Sequence, residues 1–450
     1  MQSHLTREHM REYLRNPLGY ECRLTISHSR VVQKSYEKER RFFCLPPTVT
    51  LEGVGWQSLC VFAVNSGTPW YRASPNELIS GLRATISNGH VQTDQLLEFA
   101  NQNFAQAKQM TMSVEDPRFG KTDKNSKATF FDLTVSLEKQ HGQPIGLFRS
   151  ARIKVISKRP KKNQSIRKTD CKTIFIASGS TVSLSCKTKT LYMYADQSGF
   201  VGSADRWSSL EIYAIDEATG AFQDGYINFD QVVELVDRKS GIKHPRVRIR
   251  RVEGNGKMKM VKSGKDEPVC QLYKCAFQLV GQEDLFLTMR QDGVVMHYDA
   301  NKDDQFSDAA IWNIASCADT EFRFYHAFPS MDEMNNVCHT LSIIPVVTKV
   351  SVFNDLVHVE GQNFRDQMQI WLGDLSRPTS FINNSILRCQ LPALGELSSC
   401  FMNFSSNVAH IPISVVFGNV VFGTREALEL SRDLYDRMAT PVVMQLQGRQ

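Results

Sequence analysis

The sequence predicts an all-β protein, on three observations. Short segments rich in β-branched and aromatic residues recur along the chain, among them "TFFDLTVSLEK" (129 to 139), "LEIYAID" (210 to 216) and "HIPISVVFGNVVFG" (410 to 423). Gly, Asn, Asp and Pro punctuate these segments at intervals of roughly 10 to 15 residues. Helical periodicity is confined to a few stretches, which favours antiparallel sandwiches or barrels over a doubly wound α/β fold. At 450 residues and 42% hydrophobic content the chain exceeds one core and implies two or three domains of about 100 to 200 residues.

In order along the chain, "LTREHMREYLR" (5 to 15) predicts a short helix, with Thr6 as N-cap and Met10, Tyr13 and Leu14 at helical spacing. A second helix is expected over 94 to 110, "DQLLEFANQNFAQAKQM", although Asn101 and Asn103 weaken it. Strands are expected at 129 to 139, at 147 to 158 ("LFRSARIKVISK"), and in "LYMYAD", "LEIYAID", "RVRIRRV", "LFLTMR" and "VVMHYD". One boundary follows "KVISKRPKKNQSIRKTD", where basic composition turns neutral. Another lies near "SIIPVVTKVSVFN" (342 to 354), where a Pro-marked extended run opens a last strand-rich unit. "REALELSRDLYDRM", from Arg425, predicts a C-terminal helix.

Several function classes find no support. No uncharged apolar run of eighteen residues occurs, and the N-terminus mixes acids and bases without an apolar h-region, against a membrane span or signal peptide. The eleven cysteines are scattered, so buried free thiols are expected rather than a metal site or disulfide framework. No phosphate-binding glycine loop, serine elbow or HExxH motif is present, and "GVGW" (53 to 56) reads as a turn. Lone histidines such as His358 and His410 read as structural. Neither catalysis nor a cofactor is expected.

Basic clustering carries more information than the net charge of +6. Nine Lys or Arg and no acid lie between Arg149 and Lys168, a composition suited to phosphate contact through counterion release, and also to a solvated linker. Arg246, Arg248 and Arg250 alternate in "RVRIRR" and so share one strand face, which fits a phosphate or acidic-partner surface or a solvated outer face. "VVQKSYEKERRFFC" (31 to 44) mixes Gln33, Lys34, Ser35, Tyr36, Glu39, Arg40 and Arg41. Arginine forks, amide pairs and carboxylates are the groups that read base edges in the major groove. The same composition fits a charged hairpin.

"VVQKSYEKERRFFCLPP" closely resembles the hallmark "VAQKSYGNEKRFFCPPP" of the CSL transcription factors, DNA-binding proteins of the Suppressor of Hairless type at the end of the Notch pathway. Further matches are "LTREHMREYL", "IGLFRSARIKVISKRPKKNQSIRKTD", "IASGSTVSL", "DGYINFDQVVELV", "CAFQLVGQEDLFL", "AAIWNI" and "VEGQNF". The resemblance implies a Rel-homology immunoglobulin-like sandwich at 1–155, a β-trefoil at 156–340, an IPT/Rel-type sandwich at 341–430 and a tail at 431–450. It further implies a nuclear protein, monomeric on double-stranded DNA, that reads TGGGAA-like sites without a cofactor or membrane. Arg41 would be the guanine-reading fork, surrounded by Gln33, Lys34, Ser35, Tyr36, Glu39 and Arg40. Lys161 would be a DNA contact supported by Lys158, Lys162 and Arg167, and Phe42, Phe43 and Cys44 would begin a buried strand that anchors the loop.

Two departures from the family are visible. "CKTKTLYMY" (186 to 194) is shorter than the family's minor-groove hairpin and lacks its Arg and Gln, leaving Lys187 and Lys189 for phosphates. The trefoil pocket that in the family receives the Notch intracellular domain, with Mastermind-like co-activator, or competing co-repressors is altered as well. Its aromatic position falls on Gly220, with Phe222 two places on. Its small residue becomes Lys243, and its glutamine becomes Met296. A lysine there must pair or reach solvent, because burying it alone is costly. A Notch-independent paralogue that keeps DNA binding is the alternative expectation.

Overall fold

A computed structural model describes residues 5–35, 41–56, 59, 82–88, 94–99, 103–108, 110–111, 129–139, 144–156, 174–186, 191–254, 258–264, 266–271, 273–289, 291–294, 296–300, 305–327, 343–353, 355–397, 399–405 and 408–431. Helix α1 (Arg7–Arg15) starts where expected, with the Thr6 side chain accepting from the His9 N–H. It buries Met10, Tyr13 and Leu14 against Trp371, Val416 and Val421 near the other end of the chain. Arg7 and Arg11 both reach the buried carboxylate of Asp374, at 2.9 and 2.6 Å.

Among the described residues the rest of the regular structure is almost all strand, apart from short helical turns at Pro17–Gly19, Asp308–Ala310 and Leu394–Leu397. The first unit holds β1 (Cys22–Ser29), β2 (Val31–Gln33), β3 (Thr48–Glu52), β4 (Leu82–Ser87), β5 (Gln95–Leu97), β6 (Phe104–Gln106), β7 (Thr129–Phe131), β8 (Thr134–Lys139), β9 (Pro144–Arg149) and β10 (Ile153–Ile156). One of its sheets runs β5-β4-β8-β9, and a short one runs β2-β10-β7. In β1 the buried positions alternate with half-buried ones, as expected of a strand with one face on the core.

The middle unit begins with β11 (Ser180–Cys186), β12 (Tyr192–Asp196), β13 (Gly199–Ser203), β14 (Leu210–Ile215), β15 (Phe222–Gln223), β16 (Val232–Asp237) and β17 (Val247–Glu253). It continues through β18 (Met258–Met260), β19 (Lys274–Leu279), β20 (Leu285–Thr288), β21 (His297–Ala300) and β22 (Gln305–Phe306) to β23 (Trp312–His326). The pairings β11–β14, β14–β16, β16–β17, β17–β19, β19–β23 and β23–β11 return to their start, so the strands close into a barrel with no free edge. Hairpins β12–β13 and β20–β21 extend from it, as a trefoil requires. Its core, including Leu184, Ile212, Val233, Ile249, Phe277 and Trp312, is its own.

The last unit holds β24 (Val346–Phe353), β25 (Leu356–Gln362), β26 (Gln369–Leu372), β27 (Leu375–Arg377), β28 (Thr379–Asn383), β29 (Ile386–Gln390), β30 (Asn403–Ser405), β31 (Val408–Phe417) and β32 (Val420–Ser431). One long strand ties the three units together: β23 pairs with β11 and β19 at its start, with β1 in its middle and with β32 at its end. The core of the first unit runs on into the last through Phe148, Phe322, Phe324 and Ile344.

The all-β expectation holds, and each strand segment quoted above contains a strand. Two helix expectations do not. Over 94–110 the structure has β5 and β6, with Leu97 and Phe99 buried and Leu96 and Glu98 exposed, a period of two. Pairing of β6 with β3 and of β5 with β4 overrides the helical pattern of apolar residues. "REALEL" belongs to β32, which pairs with β31 along most of its length, and residues beyond Ser431 lie outside the described set. Eight cysteines lie among the described residues, and seven of them are buried.

Candidate nucleic-acid interface

The interface is built from strand ends. β2 and β10 are paired in parallel, Lys154 opposite Val31 and Ile156 opposite Gln33, so both strands finish at the same end of the sheet. The Lys34 N–H continues the ladder by donating to the Ile156 carbonyl at 2.9 Å. The charged loop that leaves after Gln33 and the basic run that leaves after Ile156 therefore start side by side, although about 120 positions separate them. Lys154 lies within β10 and is buried, so this member of the run faces inward.

The loop is clamped at its base. Ser35 is buried, its Oγ accepts from the Arg41 N–H at 2.8 Å, and its hydroxyl donates to the Arg41 carbonyl at 3.1 Å. The Ser35 hydroxyl thus holds the two arms together, where the resemblance assigned it to the DNA surface. Gln33, Lys34 and Arg41 are half-buried at this root. Tyr36, Glu39 and Arg40 lie outside the described residues, as do Lys158, Lys161, Lys162, Arg167, Lys187 and Lys189.

"FFC" anchors the loop differently from the expectation of a buried strand. Phe42 makes only an isolated bridge to Thr111 and is 50% exposed. Phe43 is the anchor: its N–H donates to the Met110 carbonyl at 2.9 Å, and its buried ring packs 5.9 Å from that of Phe131 in β7. The chain then leaves its own sheet for the middle unit, which is why no strand forms. Cys44 Sγ lies 3.5 Å from Ser185 Oγ, Leu45 is buried against Tyr192 and Trp207, and the Trp207 indole N–H donates to the Pro46 carbonyl at 2.9 Å. Ser185 and Tyr192 flank residues 187–190, so a third basic segment is rooted beside the first two.

The arginine row of β17 is a different surface. Val247 and Ile249 face the core while Arg246, Arg248 and Arg250 face out, as the alternation requires. Each finds an acid in the chain. Arg248 forks onto Glu217 through two bonds of 2.7 Å, Arg250 reaches Asp230 at 2.6 Å, and Arg246 lies 3.5 Å from Glu234. The bonds from Arg248 hold the Glu217 carboxyl below its usual range. The row is thus an outer face whose charges are met within the chain.

Around the altered trefoil pocket, Gly220 sits in a tight turn at φ +71°, where a bulky side chain is strained, and its carbonyl accepts from Arg246 at 3.3 Å. Phe222 is 58% exposed and stacks on Tyr213 at 4.6 Å. Lys243 both pairs and reaches solvent: its side chain is 64% exposed and its Nζ lies 3.2 Å from Glu234, which also faces Arg246. Gly220, Phe222 and Lys243 thus share one surface. Met296 is set beside it, its N–H on the Phe200 carbonyl, with the Phe200 ring packed on His244.

Comparison with known proteins agrees with this architecture. The model described as "LAG1, DNA binding" matches residues 24–170, "Beta-trefoil DNA-binding domain" matches 196–313 and "TIG domain" matches 343–429. A mouse protein named "Recombining binding protein suppressor of hairless-like protein" is 29% identical over 443 residues, covering 92% of this chain and 80% of its own. The human protein of the same name matches at the same identity and coverage. These families bind DNA and are not enzymes. With its closed barrel between two sandwich-like units, the chain belongs to the CSL family of DNA-binding transcription regulators.

Proposed function

We propose that this protein is a nuclear, sequence-specific duplex-DNA binder that reads TGGGAA-like sites and acts by recruiting co-activators or co-repressors. Its domains would be 1–155, 156–340 and 341–430. The observation that carries the reading is the parallel pairing of β2 with β10, which starts the loop after Gln33 and the run after Ile156 at one place. In this reading Arg41 reads a guanine in the major groove, while Lys161, supported by Lys158, Lys162 and Arg167, contacts phosphates. Lys187 and Lys189 add backbone contacts from the trefoil.

The test is selection from a random duplex pool at physiological salt with the wild-type chain and with Arg41→Ala. The expected outcome is a guanine-containing consensus for the wild type and loss of information at one guanine in the variant, with about 1 to 3 kcal/mol less affinity for the wild-type site. Equal losses on specific and scrambled duplexes would make Arg41 a phosphate contact.

A second reading concerns partners. Lys243 held on Glu234 and Gly220 in place of an aromatic residue favour a regulator that has left Notch-type partners. Calorimetry with a Notch intracellular peptide is expected to give no family-like affinity, and family-like binding would sink this reading.

A further inference from the structure

We infer that Trp207 is a positioning residue for DNA recognition: the seam it forms with Leu45 ties the arm that leaves the base-reading loop at Arg41 to the start of β12, where the chain returns from Lys187 and Lys189. The inference rests on the proposed DNA face and assigns a role to residues that do not themselves touch DNA.

Three residues lie between Arg41, where the loop closes, and Leu45. Leu45 is completely buried, and its neighbours are Tyr192, Trp207, Ala315 and Cys317 of the middle unit. Its carbonyl accepts from the Ser29 hydroxyl of β1 at 3.3 Å, while its side chain packs on the middle unit. Tyr192 is the first residue of β12, where the chain returns from residues 187–190. One small apolar cluster therefore grips the descending arm of the first loop and the returning arm of the second. The Trp207 indole N–H fixes the direction of the seam by donating to the Pro46 carbonyl at 2.9 Å, in a buried setting where a lost partner is costly.

The residues just before Trp207 extend the stitch. The Arg206 guanidinium lies 4.2 Å from the centre of the Phe104 ring in β6, and Asp205 pairs with Lys108. The Asp205–Lys108 pair is exposed and contributes little, whereas the buried seam excludes water. Base contacts and backbone contacts made by two separate units add only if the units keep one register on the duplex. A rigid junction makes the second contact nearly intramolecular, whereas a loose one loses that advantage.

The experiment uses the full chain and a cycle of Trp207→Phe with the double variant Lys187→Ala/Lys189→Ala. It measures affinity for the selected duplex as a function of salt, with thermal unfolding in parallel. In the wild-type background the lysine pair is expected to lower the salt slope by about two units, since each phosphate contact contributes about 0.9. Trp207→Phe is expected to fold, to weaken specific binding at least tenfold and to lower the slope by a similar amount. Adding the lysine changes to it then has little further effect. Leu45→Ala opens the same seam from the other side, gives the same pattern, and carries the test if the Trp207 variant does not fold. A wild-type slope in the seam variants, or full additivity with the lysine pair, would overturn the inference. No effect of the lysine pair in the wild type would overturn it by a different route, by removing the trefoil contact that the seam positions.

Discussion

The arginines of β17 and the basic run after Ile156 look alike as sequence and differ in where the fold starts them. Arg246, Arg248 and Arg250 each find a carboxylate, in Glu234, Glu217 and Asp230, contributed by turns and a strand earlier in the same unit. The run between Arg149 and Lys168 has no acid of its own, and it leaves β10 beside the mixed-charge loop that follows Gln33. In the proposed reading, a cluster of cations serves as a DNA surface where it is not already neutralised within the chain. An arginine already neutralised by a carboxylate of its own chain displaces fewer of the counterions condensed on the duplex.

The comparison can be broken first at the anchor of the DNA side. Phe43 is buried in the first core, so Phe43→Ala is expected to cost about 3 to 5 kcal/mol of stability in chemical denaturation. A cost under about 1 kcal/mol would mean that the loop is held elsewhere. Ser35→Ala comes next. Leaving the Arg41 N–H and carbonyl without their partner is expected to cost about 1 to 3 kcal/mol and to weaken specific more than scrambled-duplex binding. Equal weakening of both would separate the clamp from base reading.

On the trefoil side the gentlest effect is one of pH. Burial lowers the pKa of His244, which packs between Phe200 and Tyr298. The fold prefers the neutral ring, so its contribution is complete above about pH 6.5, the ordinary histidine value, and is lost as pH falls through the lowered folded-state value. The wild type should lose stability over that acid range, and His244→Gln should flatten the dependence. An unchanged profile would assign the acid sensitivity to another group, such as His28, which is also buried with a lowered pKa.

Much of this was legible in the chain. Alternation placed Arg246, Arg248 and Arg250 on one outward face, and the cap at Thr6 placed the start of α1. The partners of those arginines were not legible, because Glu217 and Asp230 come from turns whose positions only the barrel defines. The roles of Ser35 and Phe43 were half visible: composition marked the loop, yet the serine clamp and the exposed Phe42 follow from the chain crossing to another unit. Trp207 gave no signal, since its partner Pro46 is 161 positions away. The strands over 94–110 were misread because apolar spacing there suited a helix, and only the pairings of β5 with β4 and β6 with β3 decide against it.

The most direct measurement is the salt dependence of binding to the selected duplex for the wild type, Lys161→Ala and Arg248→Ala. The slope of log affinity against log salt should fall by about one unit for Lys161→Ala and stay at the wild-type value for Arg248→Ala. An unchanged slope for Lys161→Ala together with a reduced one for Arg248→Ala would place the phosphate surface on the outer face of the trefoil and contradict the account.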